Sequence, residues 1–255
     1  GYQTDNIYQA IEFTEFNDKD MKKVRKETGL AYFPKKGELI GVEEAFINDR
    51  MASIGLSISI GVLQQGVVFD KELTKKMNAL ANILIRQTYD YDTRYYVFII
   101  KDSEPVAFSG PGGYIFVSDK LLSLINDYKE LVAILGHEVG HIALRHGVRD
   151  IALEQVRYSA DKAFDELDEL LDEDTLAISK ELDDVIKQAR EACKLVRDDK
   201  DEFEADQVSV ELLRRYKIDK SNLTNALNKV SIALANKYPD YLLQTQRRIT
   251  KLKGK

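Results

Sequence analysis

Cysteine is nearly absent. Cys193 is the single one in 255 residues, so no intrachain disulfide and no cysteine-rich metal cluster can be built. A surplus of base is missing too. The 37 Lys and Arg face 43 Asp and Glu, and the net charge of −6 has the wrong sign for a principal nucleic-acid partner. Long hydrophobic runs are also lacking. The most apolar stretch, Met51 to Val68, is interrupted by Ser53, Ser57, Ser59, Gln64 and Gln65. Spanning a bilayer takes about 20 predominantly apolar residues, so this stretch is expected as a buried helix. The opening Gly1-Tyr2-Gln3-Thr4-Asp5-Asn6 is polar and is no signal peptide. A leader or lipid anchor removed ahead of Gly1 would leave no trace here and would supply membrane association. No internal repeat or low-complexity linker is visible. What remains, 44% hydrophobic and 31% charged, is ordinary for a globular domain.

Histidine is scarce as well, with three in the chain, and two of them lie in His137-Glu138-Val139-Gly140-His141. This is the H-E-x-x-H pattern of zinc peptidases. On a helix, residues four apart sit about 40° from each other, so both imidazoles can grip one ion. The chemistry needs two neutral nitrogen ligands, an open position for water, and a carboxylate within reach of that water. Three fixed positions can also arise by chance. Here, however, Leu131 to Leu135 and Ile142 to Leu144 flank the motif with apolar residues. Buried there without a partner, two histidines and a glutamate would be destabilising. Asp127 and Glu130 are expected to form a capping box at the helix start.

The rest of the chain predicts a predominantly helical α+β fold, with a small sheet beside the metal helix. The first forty residues are expected as an N-terminal arm, extended or of short helices. The remainder, 41–255, is expected as one catalytic domain. Helical spacing begins near Val42 and passes Ser57; Asp70 is placed as the N-cap of a helix from Lys71 to Tyr89. Tyr95 to Ile100, Val106 to Phe108 and Tyr114 to Val117 read as strands. Ser118 and Asp119 cap a short helix, and the metal helix follows from about Lys129 to Gly147. Asp165 to Asp174 holds seven acids and no base, which fits a solvated helix face. Leu182, Val185, Ile186, Ala189, Cys193 and Val196 continue at helical spacing. The charged run Arg197 to Asp201 is taken as a break before a helix reaching Leu213.

A catalytic zinc usually takes three protein ligands and a water. Carried on along the helix, His146 would lie about 140° from His141. The extended metzincin pattern would require Gly at 144 and His at 147, where this chain has Leu144 and Gly147. The third ligand is therefore expected from a carboxylate on another helix. Glu202-Phe203-Glu204-Ala205-Asp206 is the best candidate, with Glu202 and Asp206 on one face and Glu204 pointing elsewhere. One of the pair could bind metal while the other orients a ligating histidine. An acidic helix N-terminus favoured by the macrodipole is the alternative reading.

Taken together, Phe108 to Val117, His137 to His141 and Glu202 to Asp206 resemble metallopeptidase family 48. That family of gluzincins includes HtpX-type proteases, CAAX prenyl endopeptidases and soluble periplasmic members of the BepA type. The resemblance runs from about Glu38 to Leu213. It implies Zn2+ held by His137, His141 and Glu202, Glu138 as general base, and Asp206 behind the ligands. It further implies a zinc endopeptidase acting on polypeptides, misfolded or envelope proteins among them, in the bacterial periplasm or cell envelope. The strand Tyr114 to Val117 is expected to offer its edge to substrate. One departure stands out. Soluble relatives carry a C-terminal His-Pro element before Arg-Ile-x-x-Leu; here Arg248-Ile249-Thr250-Lys251-Leu252 is kept, but no histidine follows His146. Tyr238-Pro239 or Tyr241 would have to stand in. The loss also leaves a zinc-binding chaperone with weak proteolysis as an alternative.

Overall fold

The computed structural model describes residues 2–30, 39–42, 49–110, 112–146 and 198–254. In chain order the described elements are α1 (Tyr2–Phe13), α2 (Asp18–Thr28), α3 (Asp49–Gln64), α4 (Lys71–Ile85), β1 (Tyr96–Ile100), β2 (Ala107–Gly110) and β3 (Tyr114–Ser118). They continue with α5 (Asp119–Leu124), α6 (Tyr128–Ala143), α7 (Asp199–Arg215), α8 (Ser221–Leu234) and α9 (Pro239–Lys253). This is the α+β, mainly helical fold read from the sequence.

The sheet has the order β1-β3-β2, with β1 parallel and β2 antiparallel to β3. Its strands alternate strictly, and both faces are buried. Val97, Ile99, Ile115 and Val117 join α4 and α6 in the main core. Phe98, Ile100, Phe108 and Phe116 join Ile58, Val62 and Leu63 of α3 in a second one. Alternation at period two sends successive side chains to opposite layers. Phe116 stacks on Phe108 and on Phe98, with centroids 5.0 and 5.9 Å apart.

β3 is therefore the central strand, and the expectation that it offers an edge to substrate is corrected. Both ladders of Tyr114 to Val117 are taken, one by β1 and one by β2. The far edge of β1 is closed as well. Asn78 and Asn82 of α4 use their amides there as backbone mimics. Asn78 donates to Val97 O (2.7 Å) and accepts from Val97 N (2.9 Å); Asn82 donates to Tyr95 O (3.0 Å) and accepts from Tyr95 N (3.3 Å). Among the described residues no strand pairs with the far side of β2.

Other boundaries shift for local reasons. Residues 2–28 form two helices. Asn17 closes a capping box with Asp20, and Met21, Val24 and Leu30 bury into the main core. The helix expected from Val42 is described from Asp49 and runs on to Gln64; α4 stops at Ile85. No helix of the described residues is long and apolar enough to cross a membrane. At α6, Asp127 caps the N–H of Lys129 at 2.9 Å, but Glu130 does not complete a capping box. Its carboxylate turns instead to Lys229 Nζ at 2.7 Å. The supposed break before the second motif is already helical. Asp198 caps Lys200, and the acids Asp199 and Asp201 suit the positive end of α7. Gly147, the acidic run Asp165 to Asp174 and the stretch Leu182 to Val196 lie outside the described residues.

α6 and α7 pack closely because glycine occupies α6 at the crossing. A Cβ on Gly140 would stand 3.0 Å from Ala205 O and from Val208 Cβ, and one on Gly136 would stand 3.2 Å from Ser209 Oγ. Ser209 Oγ in turn donates to Ala133 O at 2.7 Å. The first turn of α7 is thereby laid against the histidine face of α6.

Candidate metal centre

His137 and His141 stand one turn apart on α6 and are buried, as is Glu138 between them. Their Nε2 atoms lie 3.0 Å apart. Glu202, from the first turn of α7, completes a triangle. Its Oε2 is 3.4 Å from His137 Nε2 and its Oε1 is 3.3 Å from His141 Nε2. Donors about 2.0–2.2 Å from a tetrahedral zinc would be separated by about 3.3–3.6 Å, so both histidine-to-carboxylate distances fit such an ion and the two rings stand slightly closer than it would hold them. Two neutral nitrogens and a carboxylate are also the donor types that a divalent transition metal accepts.

Behind this triangle lies a second buried layer. Asp206, one turn beyond Glu202, places Oδ1 3.0 Å from His137 Nδ1. It can accept the Nδ1 proton and leave the Nε2 lone pair facing the ion. Arg248 of α9, 1% exposed, spans both acids. Its Nη1 meets Glu202 Oε2 at 2.5 Å, and its Nε and Nη2 donate to Asp206 at 2.9 and 2.7 Å. Burial alone would push both carboxyls up, but the guanidinium wins and holds Glu202 well below and Asp206 below the carboxylate range. Burial likewise disfavours a charged His137, yet Asp206 and Glu202 raise its pKa from 6.5 to about 9. In the metal-free chain the site thus carries two fixed anions, one fixed cation and one proton.

The remaining candidates fall as follows. Glu204 points away from the triangle, as its helical position predicts, and reaches His146 Nε2 at 3.1 Å. His146 is not carried round the helix, because α6 ends at Ala143 and the chain turns at Arg145, whose φ is 62°. Its Nδ1 comes to 2.9 Å from His141 Nδ1, on the side away from Glu202. Tyr238 donates to Glu104 at 3.0 Å, where Lys237 also pairs, so its hydroxyl is committed. Tyr241 borders the same cavity as Glu138 and Arg248, and burial raises its phenol pKa.

That cavity, about 630 Å³, opens onto His137, Glu138, His141 and Glu202. One wall is the segment Pro105 to Phe108 leading into β2. The other is the apolar face of α8, Leu223, Leu227, Val230 and Leu234, at helical spacing.

Sequence reasoning missed the roles of Arg248 and His146. Arg248 sits among Arg247, Lys251 and Lys253 and looks like one more surface base. Its position gives it away: Thr245, Arg248 and Leu252 are the buried positions of one α9 face. A lone charge on an apolar stripe needs a buried partner. His146 was judged by a helical angle that stops applying once the helix ends.

A model of peptidase family M48 matches residues 70–254. The chain belongs to peptidase family M48. Among curated relatives, it is 26% identical over 89 residues to the beta-barrel assembly-enhancing protease of Yersinia pestis, covering 35% of this chain and 18% of that protein. It is 34% identical over 77 residues to the metalloprotease LoiP of Escherichia coli, covering 30% and 29%. It is 36% identical over 61 residues to the mitochondrial metalloendopeptidase OMA1 of Schizosaccharomyces pombe, covering 24% and 18%. These matches span less than a third of the relatives' own length.

Proposed function

We propose that this chain is a zinc endopeptidase domain that cleaves extended polypeptide. The reading rests on one observation: two Nε2 atoms and a carboxylate converge beside Glu138, in the lining of one cavity. His137, His141 and Glu202 would hold the ion. Bound zinc would polarise the scissile carbonyl and bring the pKa of its water towards neutrality. Glu138 would take a proton from the water whose oxygen attacks the carbonyl carbon and return it to the amine nitrogen as the C–N bond breaks. Asp206 and Arg248 keep His137 and Glu202 oriented and correctly charged. Tyr241, whose phenol keeps its proton, is the donor we assign to the developing oxyanion in place of the missing histidine.

Substrate recognition follows from the cavity walls. The side of β2 that no described strand pairs with could add an extended segment by main-chain pairing, which asks little of sequence. The Leu227, Val230 and Leu234 face then favours an apolar side chain beside the scissile bond. Unfolded or partly folded chains offer both features. Relatives named for beta-barrel assembly support substrates and a location at the bacterial cell envelope.

Replacing Glu138 by Gln should leave zinc bound and lower cleavage of unfolded casein by about 10²–10⁴-fold. Wild-type cleavage by the variant sinks the mechanism. If neither protein cleaves and both suppress aggregation of the substrate equally, the chaperone alternative takes its place. Tyr241→Phe should lower kcat with KM little changed; a change confined to KM removes Tyr241 from the oxyanion role.

A further inference from the structure

His146 is completely buried, yet the mechanism above makes no use of it. Its ring stands edge-on to His141, centroids 5.0 Å apart, with the two Nδ1 atoms at 2.9 Å. Its Nε2 faces two acids from the first turn of α7, Glu204 Oε2 at 3.1 Å and Asp201 Oδ1 at 3.6 Å. The proton direction along this row is fixed from one end. His141 turns Nε2 towards His137 and Glu202. A neutral imidazole that binds metal through Nε2 carries its proton on Nδ1. His141 must then donate to His146, which accepts at Nδ1 and keeps its own proton on Nε2. That proton points at carboxylates, which only accept. Every link has one donor and one acceptor.

The chain goes to some length to bring this ring back. Arg145 adopts a left-handed φ of 62°, a region that residues bearing a side chain disfavour. It is held there by Asp90, which accepts from Arg145 Nη1 and Nη2 at 2.8 and 2.7 Å and from the Tyr95 hydroxyl at 2.5 Å. Arg145 Nη1 also donates to Ile142 O at 3.0 Å. A strained turn pinned by a buried acid delivers His146 beneath the end of α6.

We propose that His146 is a positioning residue. It fixes the tautomer and ring orientation of His141 and hands the row of hydrogen bonds on to Glu204, with Asp201 3.6 Å away. The proposal rests on the reading of His137, His141 and Glu202 as the metal site. On this account Glu204 serves His146 as its acceptor, and the two acids do not hold a second ion.

The test uses zinc affinity by chelator competition, stoichiometry, and nitrogen NMR of histidine in the zinc-loaded protein. His146→Leu fills the space without an acceptor and should weaken zinc by about 10–100-fold. His146→Asn, whose Oδ1 can occupy the place of Nδ1, should restore affinity close to wild type. In the wild-type protein His146 should be protonated on Nε2 and His141 on Nδ1, a readout that survives even if the leucine variant fails to fold. Protonation of His146 on Nδ1, wild-type affinity in His146→Leu, or a second zinc lost with His146 each overturns the proposal while leaving the metal site standing. Absence of zinc binding by the wild type, or undiminished binding in Glu202→Ala, removes the metal site and the proposal with it.

Discussion

His137 and His141 are neighbours on one helical face, but they are backed in opposite ways. Behind His137 lies an ionic cluster, Asp206 and Arg248, shut away from water and contributed by α7 and α9. Behind His141 lies a second imidazole, delivered by a turn a few residues on, whose acceptor Glu204 is partly in solvent. The first arrangement fixes charge with a buried cation; the second sets an imidazole between His141 and the acids Glu204 and Asp201. A buried ion pair with one member removed is far more damaging than a lost neutral hydrogen bond. The two halves of the site should therefore fail differently.

Arg248→Met probes the ionic half hardest. It leaves Glu202 and Asp206 buried side by side without their cation, and destabilisation of about 3–5 kcal/mol is expected. Denaturant unfolding measures it; a loss below about 1 kcal/mol, the scale of an ordinary hydrogen bond, would mean that the cluster is solvated in practice. Asp206→Asn is milder. It keeps an acceptor for His137 but breaks one of the two buried pairs of Arg248, so zinc should weaken by about 10–100-fold and stability should fall, though by less than in Arg248→Met. If this variant and His146→Leu had identical effects on stability and affinity, the contrast between the halves would vanish.

Gly140→Ala tests the packing that brings the halves together. Its methyl would press on Ala205 O and Val208, so about 1–3 kcal/mol should be lost, with weaker zinc binding as α7 is displaced. The smallest effect concerns pH. In the metal-free chain the His137 pKa is raised from 6.5 to about 9, so His137 contributes stability that is fully present below pH 6.5 and is lost as pH rises through 9. The melting temperature of the apoprotein should fall across that window. Zinc must displace the same proton, so binding at pH 7 should release protons into a weak buffer and tighten towards pH 9. A melting temperature that rises across the window, or zinc uptake with no proton released, would show that His137 is neutral without metal.

Much of this was legible in the sequence, and the parts that were not share a cause. The three strands, the Asp70 cap, the small helix after Ser118 and the metal helix all follow from local pattern, because alternation and capping act over a few residues. Glu202 and Asp206 were found because helical geometry lets two positions four apart be read as one face. What escaped depended on contacts between distant segments. The order of the strands comes from Asn78 and Asn82 closing β1, and no residue within β3 announces that it will be central. Arg248 takes its meaning from two acids on another helix. His146 needed a helix end at Ala143, and that end rests on Asp90, far back in the chain.

The place of Arg248 in α9 has a consequence for assembly of the site. Both imidazoles and both acids precede Arg248 in the chain, Asp206 by 42 residues. Until α9 docks, Glu202 and Asp206 lack the Arg248 guanidinium between them, which disfavours closing the pocket around them. Closing of the pocket thus waits on α9, and a released chain lacking α9 should not capture zinc tightly.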